Sequence, residues 1–479
     1  MLWLMARASL PRHDAGVNEA SKSPGLVRRP LPESEMCSRV HAWLSACHPE
    51  SGAAALLSGG ELAPDARYHI LACEPSFVVE GELSGFRVRR GTEIVREIAP
   101  SDLLLALREL SHEHGPGLPF AGADLPFRGG FIGAFGYDLA WLFEYGLARY
   151  LPKNSRLPEL HLGWYEKPLV LDRREECIFG GEALVEEFLA LPLDVETTPT
   201  QFVERLGSFH REDYEAAVER VREHCLRGDL FQADLSRRLS MHLDGDPRTL
   251  FRQLSEASPA RFSAYLQLDA ERAVLSSSPE EYLQLHGRRI RSRPIKGTRS
   301  RGCSLEEDAR QREALLDSEK DLAELTMIVD LVRNDLGRVA EAGSVLVTEF
   351  PRLMVLPQVH HLLASVEARL DRGRDVWDLL GASFPPGSIV GAPKPKAIEV
   401  LERVERSRRG IYTGAIGYLD PFGTAHLSVA IRTAEWDDGV LRFGVGGGIT
   451  ALSDSAAEFE ETVHKARGLA AALGIGDFG

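Results

Sequence analysis

Residues 318–335 read SEKDLAELTMIVDLVRND, and this stretch decides the class of the fold. Leu322, Leu325, Val329 and Val332 recur at helical steps, which predicts one apolar face on a helix. The spacing returns in AAEFEETVHKARGLAAAL (456–473), where Phe459, Val463, Ala466, Ala470 and Leu473 form the stripe. Upstream, Tyr214, Val218, Val221 and Cys225 predict another helix, with Gly228 as its stop. Strand-like runs occupy Arg272–Ser276, Ala415–Leu419, His426–Arg432 and Val440–Val445. Helices and strands mix without a regular βαβ rhythm, so the pattern predicts an α+β fold rather than a doubly wound sheet.

The 479 residues carry 56 lysines and arginines against 71 aspartates and glutamates, a net charge of −15. That balance argues against wholesale binding to nucleic acid or to an anionic membrane, both of which need a basic surface. No apolar run approaches the roughly 18 residues that cross a bilayer. The cysteines at 37, 47, 73, 177, 225 and 303 form no CxxC pair and have no histidine spacing that suits zinc. A reducing, cytoplasmic setting is therefore expected rather than a disulfide scaffold. Met1–Met5 is apolar but too short for a signal-peptide core, and residues 6–34 are polar and broken by Pro and Gly, which predicts a flexible N-terminal tail over 1–34, with a transit peptide as the lesser alternative. The acidic stretch Glu182–Pro199 predicts a linker, dividing the rest into 35–205 and 206–479.

Beside the first helical stripe stand Asp321 and Glu324; beside the second stand Glu458 and Glu461, with Lys465 one turn on. Residues three or four apart share a helix face, so each helix can aim two carboxylates at one point. Oxygen-only ligands of this kind suit Mg²⁺, and a solvated acidic face is the plainer alternative. Gly444-Val-Gly446-Gly447-Gly448-Ile449 predicts either a tight turn or a backbone cradle for an anion. The segment from Phe384 through Ser388 and Gly391 to Lys394 leads into a helix and predicts a second anion site, although it lacks Walker spacing. Arg288–Arg301 (RRIRSRPIKGTRSR) is basic throughout, without the aromatics that nucleic-acid stacking needs. Lys296 within it is expected to lose its proton easily among positive neighbours and to act as a nucleophile.

These blocks occur in a fixed order. Gly228-Asp229-Leu-Phe231-Gln232-Ala-Asp234-Leu-Ser236-Arg237 comes first, then Ser278-Pro279-Glu280, Pro294-Ile-Lys296-Gly-Thr298 and the Asp321/Glu324 helix with Arg333-Asn334-Asp335. His361-Leu362, Ser388 to Lys394, Tyr412-Thr413-Gly414, Ile431-Arg432-Thr433, Gly446–Ile449 and Glu458 to Lys465 follow. In this the chain resembles the chorismate-utilising enzymes: the anthranilate, aminodeoxychorismate, isochorismate and salicylate synthases. The likeness is strong over 206–479. It extends through Leu56-Leu57-Ser58-Gly59 and Gly129 to Asp138 into 35–205, a region like that of anthranilate synthase component I.

The resemblance implies a chorismate-binding fold, two large antiparallel sheets packed as a sandwich with helices outside and the site between. It implies Glu324 and Glu461 as direct Mg²⁺ ligands, with Asp321 and Glu458 linked through water. Gly446, Gly447, Gly448 and Lys465 would surround the ring carboxylate of chorismate, with Thr298 and Ser388 also at the substrate. Tyr412 and Arg432 would clamp the enolpyruvyl carboxylate. Glu280 would be the general acid for the departing 4-hydroxyl, and His361 the active-site imidazole, with His360 structural. A pocket near Leu56–Gly59 and Arg67-Tyr68 would match the one that holds tryptophan in relatives.

Gln232 and Lys296 discriminate among the branches. Isochorismate and salicylate synthases have a lysine where this chain has Gln232, which disfavours water as nucleophile. Anthranilate synthases typically have alanine at the position of Lys296, whereas lysine there is the aminodeoxychorismate synthase feature. The resemblance thus implies amination of chorismate by ammonia to 4-amino-4-deoxychorismate, toward 4-aminobenzoate and folate. Anthranilate synthase is the alternative, and a non-catalytic chorismate- or amino-acid-binding paralogue a weaker one. No Gly-x-Cys-x-Gly nucleophile loop is present, so a separate glutamine amidotransferase subunit is expected to supply ammonia. Asp234, Glu281, Pro386, Val390 and Ser455 depart from the family pattern. Glu281 is expected to reverse a charge beside the acid, and Val390 to remove a hydroxyl near the substrate.

Overall fold

A computed structural model describes residues 25–479 apart from 60–65, 145–148, 154, 194, 196, 207–209, 357–358, 477 and 479. Two twelve-stranded sheets face each other, and every strand pairing is antiparallel. The first sheet runs from the edge strand Leu26–Pro30 through Tyr68–Ala72, Phe262–Gln267, Arg272–Ser278 and Val440–Ile449 to Gln232–Asp244 and Gln201–Leu206. The second runs from Ile295–Ser300 through Val359–Arg369, Glu281–His286, Thr424–Val429 and Gly130–Phe135 to Glu93–Ile98. Strands from both sides of residue 205 share both sheets.

Strand alternation sorts the side chains into layers. In Gly130–Phe135, Phe131 and Phe135 point to the outer core while Ile132 and Ala134 point between the sheets. In the first sheet, Tyr265 and Leu275 pack outward under helices, whereas Ala264, Leu266 and Val274 meet Ile416 and Tyr418 of the second sheet. At one end of the sandwich this inter-sheet layer is largely apolar and leaves only a small cavity of about 130 Å³. At the other end strands of both sheets line a large cavity rich in charged side chains.

The predicted helices form as Arg211–Leu226, Glu319–Gly337 and Ser455–Ala472. The second begins with the Ser318 side chain accepting from the Asp321 N–H, and the third with Asp454 capping Ala457. Three expectations need correction. Within the proposed tail, residues 1–24 lie outside the described residues, but Leu26–Pro30 is a strand paired with Cys177–Gly181, and Leu31 is buried. Within the proposed linker, Glu182–Ala190 is a helix that buries Val185 and Phe188. The glycine-rich segment is no turn, because Val440–Ile449 is one continuous strand. Among the described residues no helix is long and apolar enough to cross a membrane.

Candidate active site

A cavity of about 960 Å³ opens between the sheets. Two crossovers of the chain from one sheet to the other form its wall. Arg272–Ser278 leaves the first sheet and, after Pro279 and Glu280, Glu281–His286 joins the second; Thr424–Val429 returns through Ala430–Arg432 to Thr433–Asp437. The crossovers lie side by side, the Val429 N–H donating to the Glu280 carbonyl and the Ser277 N–H to the Arg432 carbonyl, each at 3.0 Å. They bring Glu280 and Arg432 to the cavity, Arg432 with a left-handed φ of 49° that a residue with a side chain seldom adopts.

Glycines make the floor. An added Cβ at Gly444 would meet the Tyr412 ring at 2.2 Å, one at Gly447 would meet Glu458 Oε2 at 3.0 Å, and one at Gly448 would meet Gln232 Nε2 at 1.8 Å. Side chains from neighbouring elements occupy the room that residues of this strand would otherwise fill. That is why a glycine run here is a strand. A bulge at Gly297, with φ of 76°, lets the helix Glu319–Gly337 close in: a Cβ there would lie 3.1 Å from Asp321 Cβ.

The cavity is lined by Glu280, Lys296, Thr298, His361, Ser388, Tyr412 and Arg432. Asp321, Glu324, Glu458, Glu461, Lys465, Gly446 and Gly448 also line it. Gln232 is fully buried behind Gly448, with both amide atoms lacking a protein partner. Burial pushes the Glu280 carboxyl up to about 7, although a hydrogen bond from Ser388 and the charge of Lys296 oppose this. Burial, helped by Arg432, brings the His361 imidazole down to about 3, so it is neutral. Its Nδ1 lies 2.9 Å from Thr298 Oγ1, while Nε2 is buried without a protein partner. His360 points away to Asp308 at 2.8 Å and is fully buried.

Each carboxylate of the two helical pairs has a neighbour of its own. Asp321 pairs with Arg299 at 3.0 Å, Glu458 accepts from Ser453 Oγ at 2.7 Å, and Glu461 pairs with Lys465 at 2.7 Å. Glu324 lies 3.9 Å from Lys320. Among the described residues no three carboxylate, imidazole or thiol side chains are gathered closely enough to hold a metal ion as they stand. The donor chemistry still suits a hard cation. Burial raises Glu324, and burial together with repulsion from Glu461 raises Glu458, a cost that a divalent ion relieves.

Several expectations about charge are overturned. Burial disfavours the charge on Lys296, but Asp234 and Glu324 outweigh it and leave the ammonium with a raised pKa, not a lowered one. The flanking arginines turn elsewhere: Arg291 to Glu281, Arg299 to Asp321 and Arg301 to Asp308. Lys394 builds no anion site, because it is buried against Asp335 at 2.7 Å and donates to the Ser383 carbonyl. Glu281, the first residue of the strand that follows Glu280, lies outside the cavity lining. There burial is overcome by His426 and Arg291, which bring its carboxyl down to about 2, so its charge is matched away from the acid. Val390 packs into the apolar core instead of reaching the cavity. Arg409 was not singled out from the residues; it is buried against Glu405 and donates to the Asp234 carbonyl. The Glu405/Arg409 spacing of one helical turn is the only trace it leaves in the sequence.

A profile of the chorismate binding enzyme family matches residues 71–471, a span that includes strands of both sheets and all of these cavity residues. Aminodeoxychorismate synthase component 1 of Klebsiella aerogenes is 40% identical over 406 residues, covering 83% of this chain and 88% of the relative. Anthranilate synthase component 1 of Aquifex aeolicus is 33% identical over 440 residues, covering 84% and 86%. The crystal structure of anthranilate synthase component I from Streptococcus pneumoniae superposes with a TM-score of 0.73 at 30% identity, covering 85% of this chain and 93% of that one. The two-sheet architecture, the matched span and these relatives together establish that the chain belongs to the family of chorismate binding enzymes and is itself an enzyme.

Proposed function

We propose that this chain aminates chorismate to 4-amino-4-deoxychorismate. The observation that carries this reading is the presence of Lys296 in the same cavity as Glu280, whose carboxyl is held half-protonated near neutrality. Lys296 Nζ, once deprotonated, attacks carbon 2 of the substrate. A C–N bond forms, the two conjugated ring double bonds shift (1,2 to 1,6 and 5,6 to 4,5) and the bond from carbon 4 to its hydroxyl breaks, with Glu280 giving the proton that lets water depart. Ammonia then attacks carbon 4, both ring double bonds shift back, and the bond from carbon 2 to Lys296 Nζ breaks. Tyr412 and Arg432 hold the enolpyruvyl carboxylate, and Gly446–Gly448 with Lys465 receive the ring carboxylate. Thr298 fixes the neutral His361 beside them.

Glu324 and Glu461 would hold Mg²⁺, with Asp321 and Glu458 behind them. When bound, the ion supplies positive charge against the ring carboxylate. A separate glutamine amidotransferase subunit supplies the ammonia, which accords with the designation component 1 carried by the relatives. The enzyme works in the cytoplasm, and a further enzyme carries its product on to 4-aminobenzoate. A second cavity of about 130 Å³, lined by Leu56, Ser58, Arg67, Tyr68 and His426, takes an amino acid such as tryptophan.

Mass spectrometry of the products from chorismate, Mg²⁺ and ammonium tests this. A product of aminodeoxychorismate mass without pyruvate is expected. Anthranilate plus pyruvate would overturn it in favour of the anthranilate synthase reaction, with which relatives at 33% identity are named.

A further inference from the structure

Asp234 is pinned at its backbone from two sides. Its N–H donates to the Val390 carbonyl at 2.9 Å, and its carbonyl accepts from Arg409 Nη2 at 2.5 Å. Arg409 is itself held by Glu405, so the strand cannot shift without breaking a buried pair. Across the ladder Asp234 is opposite Gly448, where an added Cβ would lie 3.5 Å from Lys296 Nζ. Both carboxylate oxygens of Asp234 reach that nitrogen, at 3.4 and 3.3 Å. These contacts are longer than the roughly 2.7–2.9 Å of a tight charge-assisted bond, so the pair holds Nζ without saturating it. The two side chains are 12% and 14% exposed, and both line the cavity.

Other charges face Lys296: Glu324 from the helix Glu319–Gly337, Glu280 from the crossover, and Lys465 with Glu461 from the last helix. Among the described residues, only Asp234 comes within ion-pair distance of it.

We propose that Asp234 is a positioning residue for Lys296, whose carboxylate holds the ε-amino group as an ammonium above Gly448 and so sets the pH at which the amine is free to attack. This rests on the nucleophile role given to Lys296 above. The proton leaves Nζ to solvent before the C–N bond forms, so the pair opposes attack at low pH and aims the amine once the proton has gone. An asparagine at 234 keeps the shape and removes the charge.

Trace labelling of the full chain with acetic anhydride across a pH series tests the pairing, since only a free amine is acylated. Peptide mass mapping reads Lys296 against the exposed Lys167 as internal reference. In Asp234→Asn, Lys296 is expected to label about tenfold faster than in the parent near pH 8, with its titration midpoint moved to lower pH. Equal midpoints would overturn the proposal. Asp234→Ala removes both charge and aim: it is expected to show the same labelling shift with a larger loss of turnover than Asp234→Asn. Equal turnover in the two variants would overturn the aiming role.

Labelling needs no catalysis, so the two readings fail separately. A shifted midpoint in an enzyme that yields anthranilate supports the pairing and defeats the aminodeoxychorismate reading. An unshifted midpoint in an enzyme that yields aminodeoxychorismate does the reverse.

Discussion

Lys394 and Lys296 are both lysines drawn in from solvent to face an aspartate, and they differ in what lies on the other side. Lys394 Nζ is 2.7 Å from Asp335, donates to the Ser383 carbonyl at 2.9 Å, and is 4% exposed. Burial pushes Asp335 up to about 6 even with the ammonium beside it. Lys296 is 3.3 Å from Asp234 and has the open cavity on its remaining side. The first ammonium has a short ion pair and a backbone acceptor, and it braces the helix Lys394–Val404 against Glu319–Gly337. The second is left with donor capacity turned toward the place where substrate enters. Lysine burial alone therefore says little about chemistry, whereas incomplete pairing beside a cavity says much.

Exchanging the two losses breaks the comparison most directly. Lys296→Ala should lower product formation by about 10³-fold or more if, as proposed, its amine is the attacking group. Its unfolding free energy should change by about 1 kcal/mol or less, as Asp234 stays hydrated by the cavity. Lys394→Ala should do the opposite, costing about 3–5 kcal/mol in urea unfolding by stranding Asp335. Most of that loss should return when Lys394→Met is combined with Asp335→Leu. A Lys394→Ala chain as stable as the parent would erase the distinction.

Glu280 sharpens the contrast through pH. Its carboxyl titrates at about 7 in the folded chain against 4.5 without perturbation. A raised carboxyl contributes stability fully below the unfolded value, and that contribution is lost as pH rises through about 7. Glu280→Gln should therefore gain on the parent by about 3 kcal/mol between pH 4.5 and pH 8, read from unfolding curves at each pH. The same variant should lose about 10²–10⁴-fold in turnover. The smallest effect is expected from Thr298→Val, which deletes the side-chain partner of His361 Nδ1 but leaves the Gly297 carbonyl at 3.3 Å, and should cost about 1 kcal/mol, or roughly fivefold in kcat.

What could be read from the residues alone divides along the same line between local and distant causes. The stripes Leu322–Val332 and Phe459–Leu473 marked their helices because periodicity is a local property, and the carboxylates beside them fell in one cavity as their spacing required. The strand Gly444–Gly448 reads as either a turn or an anion cradle because its need for glycine comes from Tyr412, Glu458 and Gln232, which are distant in sequence or lie on other elements. Glu182–Ala190 read as a linker because its helix is held by apolar partners elsewhere in the chain. The lowered pKa expected at Lys296 failed for a related reason. Nearby arginines in sequence are turned to their own carboxylates, and the groups that face the lysine are Asp234 and Glu324.

The interleaving of the sheets bears on how the chain reaches its native state. Ala54–Leu57 waits for Phe262–Gln267 to complete its pairing, and Gly130–Phe135 for Ala415–Leu419. During synthesis these early strands leave the ribosome with one edge bare for some two to three hundred residues, which at about 5–20 residues per second is tens of seconds. Loop closures of that length make folding slow and expose apolar edges to misassociation in the interval. The wall of the cavity is closed only when Thr433–Asp437 rejoins the first sheet, and its floor strand Val440–Ile449 and the helix Ser455–Ala472 come later still, so the site is assembled from the last of these elements to be made.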